Sequence, residues 1–366
     1  MKILVLANFD VGLYKFRKEL LSELIKQGHK VYCALPMGEL VSLVKELGCE
    51  FIETPHLQRR GTNPFEDIKL FRQYLSIIDE VKPDRIITYT VKCNIYGGLA
   101  AKRRKVPYYL NVTGLGSSFQ SAGPLQKLVK FMYSRTNKTA QKIFFENEDN
   151  ARIMYENGLA EKEQIVINNG AGVNIDEYPC AEYPQDDGVT RFLFIGRVMK
   201  EKGVDELFDC AVRLKKDYGD KVEFHIVGPF EENYSQHVVE LTKKNIIYFY
   251  GYQNDVKPLI NGSDCFVLPS YHEGMANTLL ECASMGRPLI TTDIHGCKEA
   301  VIDGQTGYLV NKADSFDLYE KLKMFVELPF EEKRNMGRLS RKHIEERFDK
   351  EKVVLKTISS LDLSEI

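Results

Sequence analysis

Strand-like apolar runs alternate with helix-patterned segments twice along this chain of 366 residues, and that repeat restricts the possible folds more than any other feature. In the first half, residues 3–8, 30–35, 50–54, 85–90, 108–112, 142–146 and 164–167 read as strands. Helical patterns near 14–27, 38–47, 64–81, 95–105, 124–140 and 148–157 fall between them. The second half repeats the plan, with strands at 191–196, 222–227, 246–250, 265–268, 288–292 and 307–310. Its helices read near 203–217, 234–243, 255–260, 277–285 and 314–325. Strands joined through helices pair in parallel and have both sheet faces covered, so the expected class is α/β. The turn-rich stretch 168–188 reads as a linker between two doubly wound, Rossmann-like domains, 1–168 and 169–346. A last helix near 347–361, in the segment 347–366, is free to pack back on the first domain. Ligands of such sheets bind beyond the C-terminal strand ends, which places function in a cleft between the domains.

Composition narrows the class further. Apolar content of 43% and charged content of 28% are those of a soluble globular protein. Met1 to Leu6 enters directly as a strand, without the regions of a signal peptide, and no apolar run approaches the roughly 20 residues of a membrane span. The eight cysteines form no C-x-x-C pair, so a reduced cytoplasmic chain without structural zinc is expected. The net charge of −2 divides into +7 over residues 1–168 and −9 over the rest. A basic half points to an anionic partner, and no recognised nucleic-acid module accompanies it.

The most informative ten residues are His272-Glu273-Gly274-Met275-Ala276-Asn277-Thr278-Leu279-Leu280-Glu281. They join a strand to an apolar helix. Glu273 and Glu281 are slightly over two helical turns apart and so fall near one helical meridian. Gly274 lets the backbone approach a ligand, and the N–H groups of Met275, Ala276 and Asn277 are expected to point outward from the helix start. With the helix dipole they make an anion seat, while the carboxylates accept hydrogen bonds from hydroxyls. That combination suits a nucleotide sugar. The strand at 191–196 ends in Gly196-Arg197 and continues to Lys202-Gly203. A guanidinium fork and an ammonium at an equivalent strand end make a plausible diphosphate clamp.

Gly196-Arg197…Lys202-Gly203, Ile226-Val227-Gly228 and Pro269 to Glu281 together resemble the large retaining glycosyltransferase family 4, of GT-B architecture. The paired-domain pattern spans the chain, and the specific motifs run from Phe194 to Leu309. The resemblance implies two Rossmann-like domains facing across a cleft, the acceptor held by the first and a UDP-sugar donor by the second. It implies a catalytic set of Arg197, Lys202 and Glu273, the two cations stabilising the leaving diphosphate and Glu273 holding donor-sugar hydroxyls. Glu281 would accept from the ribose. Gly196, Gly274 and the amides of Met275, Ala276, Asn277 and Thr278 would line phosphate or sugar oxygens, with Gly228 and Val256 flanking the base. The family is thought to react on one sugar face, the departing phosphate helping to deprotonate the acceptor. No D-x-D occurs, and with Arg and Lys neutralising the diphosphate no metal and no cofactor is expected, the UDP-sugar being a substrate.

In the first domain, Gly12 follows the first strand and is expected to bring its loop to the donor phosphates before a helix begins near Tyr14. After the fifth strand, where many family members carry a histidine, this chain reads Thr113-Gly114-Leu115-Gly116-Ser117-Ser118. The acceptor-side base is therefore unassigned. That loop, the early Tyr14-Lys15-Phe16-Arg17 and the segment Lys92-Cys93-Asn94-Ile95-Tyr96-Gly97 resemble a subgroup acting on polyprenyl-diphosphate-linked saccharides in glycan, capsule or exopolysaccharide assembly. Lys92, Asn94, Thr113, Gly114, Gly116 and Ser117 are the acceptor-side candidates. The 124–135 segment places Lys127, Lys130 and Arg135 between apolar residues at helical spacing, which suits either a membrane surface or packing on the sheet. The expected enzyme transfers a hexose or N-acetylhexosamine to a lipid-linked or free saccharide, peripherally at the inner face of the cell membrane. A GT-B-fold sugar-nucleotide epimerase is the alternative, and it would need acid–base carboxylates facing the sugar. A dehydrogenase would need G-x-G-x-x-G after the first strand, which is absent.

Overall fold

The computed structural model describes residues 1–57, 63–115 and 123–363. Strands β1 (Lys2–Leu6), β2 (Lys30–Leu35), β3 (Glu50–Glu53), β4 (Arg85–Tyr89), β5 (Tyr108–Val112), β6 (Lys142–Phe145) and β7 (Ile165–Ile167) form one sheet of order β3-β2-β1-β4-β5-β6-β7. Helices α1 (Asp10–Lys26), α2 (Val41–Glu46), α3 (Pro64–Val81), α4 (Gly98–Arg104), α5 (Pro124–Asn137) and α6 (Glu148–Glu156) connect them. A second sheet, of order β10-β9-β8-β11-β12-β13, comprises β8 (Thr190–Ile195), β9 (Val222–Val227), β10 (Tyr248–Phe249), β11 (Cys265–Leu268), β12 (Leu289–Thr292) and β13 (Gly307–Val310). Its helices are α7 (Val204–Tyr218), α8 (Ser235–Lys243), α9 (Lys257–Asn261), α10 (Asn277–Ser284), α11 (Ser315–Glu327) and α12 (Phe330–Arg347); α13 (Lys350–Ser359) ends the chain.

Every strand pairing is parallel. Residues of β4, β5, β11 and β12 are buried throughout, which is why they read as continuous apolar runs rather than alternating ones. In each sheet the chain starts at a central strand, moves outward, and returns to the other side of that strand. The order therefore reverses between β1 and β4, and again between β8 and β11. Those two switch points are where the connections diverge and leave a crevice for a ligand.

The chain divides into two compact units, one of residues 1–171 with Lys350 onward, the other Gly172–Asp349. Both boundaries lie three residues beyond the expected 168 and 346. The reason is local: the Val173 N–H donates to the Phe348 carbonyl at 2.8 Å, and Val173 bridges in parallel to Asp349. Phe348 is fully buried in the second core, so residues up to 349 stay with it. Beyond that point α13 belongs to the first unit. Lys350 pairs with Glu19 of α1 at 3.6 Å, the Asn168 amide donates to Thr357, and Tyr109 donates its hydroxyl to the Leu361 carbonyl at 2.5 Å. Val354 and Leu361 complete the core that holds Leu20, Leu21 and Leu24.

Three local features depart from the sequence expectations. Helix α1 begins at Asp10, four residues before Tyr14. A π-helical turn, Cys93–Gly97, precedes α4 where an ordinary helix was expected from residue 95. Helix α12 was not anticipated at all. Its buried positions Lys333, Met336, Gly337, Ser340, His343 and Ile344 recur at helical spacing, but only Met336 and Ile344 are large and apolar, so no apolar stripe marks it. Among the described residues no helix is long and apolar enough to cross a membrane.

Candidate active site

The switch point between β8 and β11 gathers the donor-side candidates. Beyond β8 the chain passes Gly196 and Arg197, makes a tight turn over Lys200–Lys202, and enters α7 after Gly203. Beyond β11 it passes Pro269 to Ala276 and enters α10. The Glu201 carbonyl accepts from the Tyr271 N–H at 2.8 Å and from the Ser270 hydroxyl at 3.2 Å, so the two loops are laced together. Gly203 has φ +71°, and a Cβ there would lie 2.0 Å from the Pro269 carbonyl oxygen; only glycine permits this approach. A third loop supports the same turn. Ala276 donates its N–H to the Gly296 carbonyl at 2.8 Å, and a Cβ on Gly296 would lie 2.7 Å from the Glu273 carbonyl oxygen.

This lacing brings Lys202 and Glu273 into a direct ion pair, with only 17% and 12% of their side-chain surface exposed. Arg197 is elsewhere. It is more exposed, and its Nη1 lies 3.3 Å from Glu231 in the loop after β9. Gly196 and Gly228 lie side by side at the ends of β8 and β9, the Gly196 N–H donating to Val227 and the Gly228 N–H to Gly251. Val256 is half-buried at the start of α9. The Met275 and Ala276 side chains are buried in the core, so at these positions only backbone is available to a ligand.

Two expectations about the Glu273–Glu281 segment change. Helix α10 starts at Asn277, so Glu273 lies in the preceding loop and the shared helical meridian does not exist. Glu273 is placed by the loop contacts instead. The outward-pointing Ala276 N–H is also corrected, since Gly296 takes it; the Leu279 N–H returns to the Ala276 carbonyl at 3.0 Å, and of the first turn only the Asn277 and Thr278 N–H groups precede the intrahelical ladder. The Asn277 Oδ1 is buried with no hydrogen-bond partner. Thr278 is half-buried on the same turn. Glu281 is half-buried, and its charge reaches Tyr178, whose phenol is pushed up first by burial and then by this carboxylate. Lys257 Nζ lies 5.6 Å from the centre of the Tyr178 ring. Tyr178 comes from the stretch read as a linker, which is why the sequence did not nominate it.

In the first unit, Gly12 falls inside the first turn of α1 rather than in a free loop. A Cβ on Gly12 would come within 2.5 Å of the Phe9 ring, so its smallness serves that packing. Lys92 and Asn94 follow β4, at the switch beside β1. Lys92 is ion-paired with Asp67 of α3 at 2.8 Å. Asn94 is fully buried: it accepts from the Thr88 hydroxyl at 2.6 Å and donates to the Asn111 carbonyl at 2.9 Å. Its assignment to the acceptor side is therefore corrected, because its side chain is wholly enclosed in the core of the first unit. Thr113 and Gly114 are half-buried after β5, and Gly116 and Ser117 lie outside the described residues. Among the described residues no group of three or more His, Cys, Asp or Glu side chains is placed to hold a metal.

Residues 181–343 match the model of glycosyl transferases group 1, and residues 2–147 match that of glycosyl transferase 4-like proteins. The chain is also 30% identical over 344 residues to the N,N'-diacetylbacillosaminyl-diphospho-undecaprenol α-1,3-N-acetylgalactosaminyltransferase of Campylobacter jejuni, covering 89% of this chain and 90% of that one. It belongs to this glycosyltransferase family. A second relative, 28% identical over 70% of both chains, is the Escherichia coli UDP-Gal:α-D-GlcNAc-diphosphoundecaprenol α-1,3-galactosyltransferase. The crystal structure of Anabaena HepE, determined with UDP and glucose, superposes with a TM-score of 0.80 over 100% of both chains at 16% identity, a likeness of fold. The glycosyltransferase thus has the GT-B architecture of two Rossmann-like domains. The glycosyltransferase group 1 match covers both donor-side loops, while the second match covers Gly12, Lys92 and Asp67.

Proposed function

We propose that this glycosyltransferase is a retaining, metal-independent enzyme that moves a hexose or N-acetylhexosamine from a UDP-sugar to a polyprenyl-diphosphate-linked saccharide, in bacterial glycan, capsule or exopolysaccharide assembly. The observation that carries the reading is the Lys202–Glu273 pair, largely shielded at the β8/β11 switch beside the N-terminus of α10. The relatives from Campylobacter jejuni and Escherichia coli, whose names specify undecaprenyl-diphosphate acceptors, support the acceptor class.

Without ligand, Lys202 and Glu273 neutralise one another. A donor diphosphate competes for the ammonium, and Glu273 is released to accept hydrogen bonds from the sugar hydroxyls. The first-turn N–H groups of α10 and the Lys202 ammonium then face oxygens whose negative charge grows as the anomeric carbon–oxygen bond breaks. Arg197 turns from Glu231 to the same diphosphate. The acceptor oxygen bonds to the anomeric carbon on the face the phosphate leaves, and its proton passes to the departing phosphate oxygen. Two cations supply the neutralisation that a divalent ion would otherwise provide. Helix α5 exposes Leu128 and Phe131 among Lys127, Lys130 and Arg135, which supports peripheral contact with the inner face of an anionic membrane.

The test is transfer by the purified chain from a panel of UDP-sugars to α-D-GlcNAc-diphospho-undecaprenol and to its N,N'-diacetylbacillosaminyl counterpart, with and without EDTA. One donor should give a product of unchanged anomeric configuration, at a rate indifferent to chelation. Lys202→Ala should lower kcat by about 100-fold or more, the scale of losing one electrostatic contact to a leaving group. An inverted product would sink retention. Activity lost to EDTA and restored by Mg²⁺ would sink metal independence, and conversion of the UDP-sugar without acceptor would point to the epimerase.

A further inference from the structure

Asp67, in the first turn of α3, gathers two partners from the segment after β4. Its Oδ1 accepts from the Lys92 ammonium at 2.8 Å and its Oδ2 from the Tyr96 hydroxyl at 2.9 Å. Lys92 and Asp67 keep only 21% and 14% of their side-chain surface exposed, so solvent screens the cluster incompletely. Burial, and then the Asp67 carboxylate, push the Tyr96 phenol up, so it stays a protonated donor.

The position is that of a binding site. Lys92 stands just past the C-terminal end of β4, beside β1, where the strand order of the first sheet reverses. The backbone is unusual there twice over. Thr90 is β-branched yet has φ +73°, and the following Cys93–Gly97 turn is π-helical. Both kinds of irregularity concentrate at functional sites, because they persist only where the surroundings hold them. Here the Asn94 N–H donates to the Thr90 carbonyl at 2.8 Å, and the buried Asn94 amide anchors the turn to β4 and β5.

Hydrogen-bond capacity indicates the ligand. An ammonium has three N–H donors, and Asp67 occupies one. A carboxylate has roughly four lone-pair positions, and Lys92 and Tyr96 occupy two. Donors and acceptors are thus left adjacent, on a pair whose charges cancel. A phosphate would gain from Lys92 but meet the Asp67 carboxylate at close range. A neutral hydroxyl both donates and accepts, and satisfies both groups. We infer that Asp67, Lys92 and Tyr96 form a saccharide subsite in the first unit that holds the acceptor sugar through its hydroxyls. This rests on the transferase reading above.

Asp67→Asn, Lys92→Met and Tyr96→Phe test it, assayed with whichever of the two polyprenyl-diphosphate acceptors the wild type uses better. Asp67→Asn and Lys92→Met should raise the KM for acceptor about tenfold or more, and Tyr96→Phe a few-fold, as expected for hydrogen bonds to charged groups. The KM for UDP-sugar should stay within about twofold, a separation that a general loosening of the fold would not produce. An unchanged acceptor KM in both charge variants, or a donor KM that rises in step, would overturn the inference. Should either charge variant melt early, saturation-transfer NMR with methyl α-N-acetylglucosaminide on the wild type and Tyr96→Phe decides. Weakened transfer in Tyr96→Phe supports the subsite, while equal transfer or none to the wild type removes it. A wild-type chain that binds this sugar but transfers nothing overturns the transferase reading alone.

Discussion

A side chain sealed inside the core is out of a ligand's reach, and Asn94 is in that state. Its carbonyl accepts from Thr88 and its amide donates to Asn111, all inside the first core. Replacing it with alanine strands the Asn111 carbonyl and unties the π-helical turn from two strands. Asn94→Ala should therefore lower stability by about 2–4 kcal/mol in denaturant unfolding. Any tenfold change in acceptor KM at unchanged stability would show that the side chain reaches the ligand after all. Lys92, two positions earlier, retains free donors, although both residues were equally eligible from the sequence. Asp67 was not nominated, because beside Glu66 it reads as an ordinary first-turn acid that complements the helix dipole. Its second role depends on Lys92, 25 residues away.

Helix α12 shows how an element escapes a hydropathy pattern. Its buried face is made of polar groups that find partners: Lys333 donates to Thr190 and to the Val326 carbonyl, and His343 Nε2 lies 2.9 Å from the Glu299 carbonyl. The His343 ring also meets Phe348 edge-on, with centroids 5.7 Å apart. Burial is the main reason its pKa is depressed, so the folded protein keeps it neutral where the unfolded chain, near the usual value of about 6.5, already binds a proton. The stability linked to this residue is thus full above about pH 6.5 and is lost as pH falls through the lower folded value. His225 and His272 are depressed in the same direction and add to the slope. His343→Gln should flatten the decline of Tm between about pH 7 and 5, and a slope identical to the wild type would exclude the linkage. The strands escaped nothing, because apolar runs bounded by turns are local signals. Helix α10 was also legible, its start at Asn277 included, although Ala276 provides no side-chain cap.

The whole molecule carries its charge unevenly, and the division into units leaves that asymmetry intact. Lys350 onward adds three basic and three acidic residues, so the first unit keeps its +7. On that unit α5 turns Val129 and Tyr133 into the core, while Leu128 and Phe131 stay 53% and 56% exposed. Arg135 lies over the Phe131 ring at 5.0 Å. An outward apolar pair ringed by cations matches an anionic bilayer better than water. The protein should sediment with phosphatidylglycerol-containing vesicles, less so in high salt, and the double change Leu128→Asp with Phe131→Asp should weaken binding about tenfold. Equal binding to purely zwitterionic vesicles, or no response to the double change, would remove the membrane from the account.

Local patterns were enough to read the parallel α/β class, the two halves, the strand-end loops that carry Arg197, Lys202 and Glu273, and the helix that carries Glu281. Periodicity and turn chemistry act over a few residues, and β-α alternation leaves few topologies open. Folding alone settled the partnerships. Lys202 meets Glu273 across 71 residues, Lys92 meets Asp67, Tyr178 flanks Glu281, and Asn94 is consumed by the core. Whether a polar side chain is available to a ligand depends on which distant group fills its hydrogen bonds, and no local stretch of chain records that.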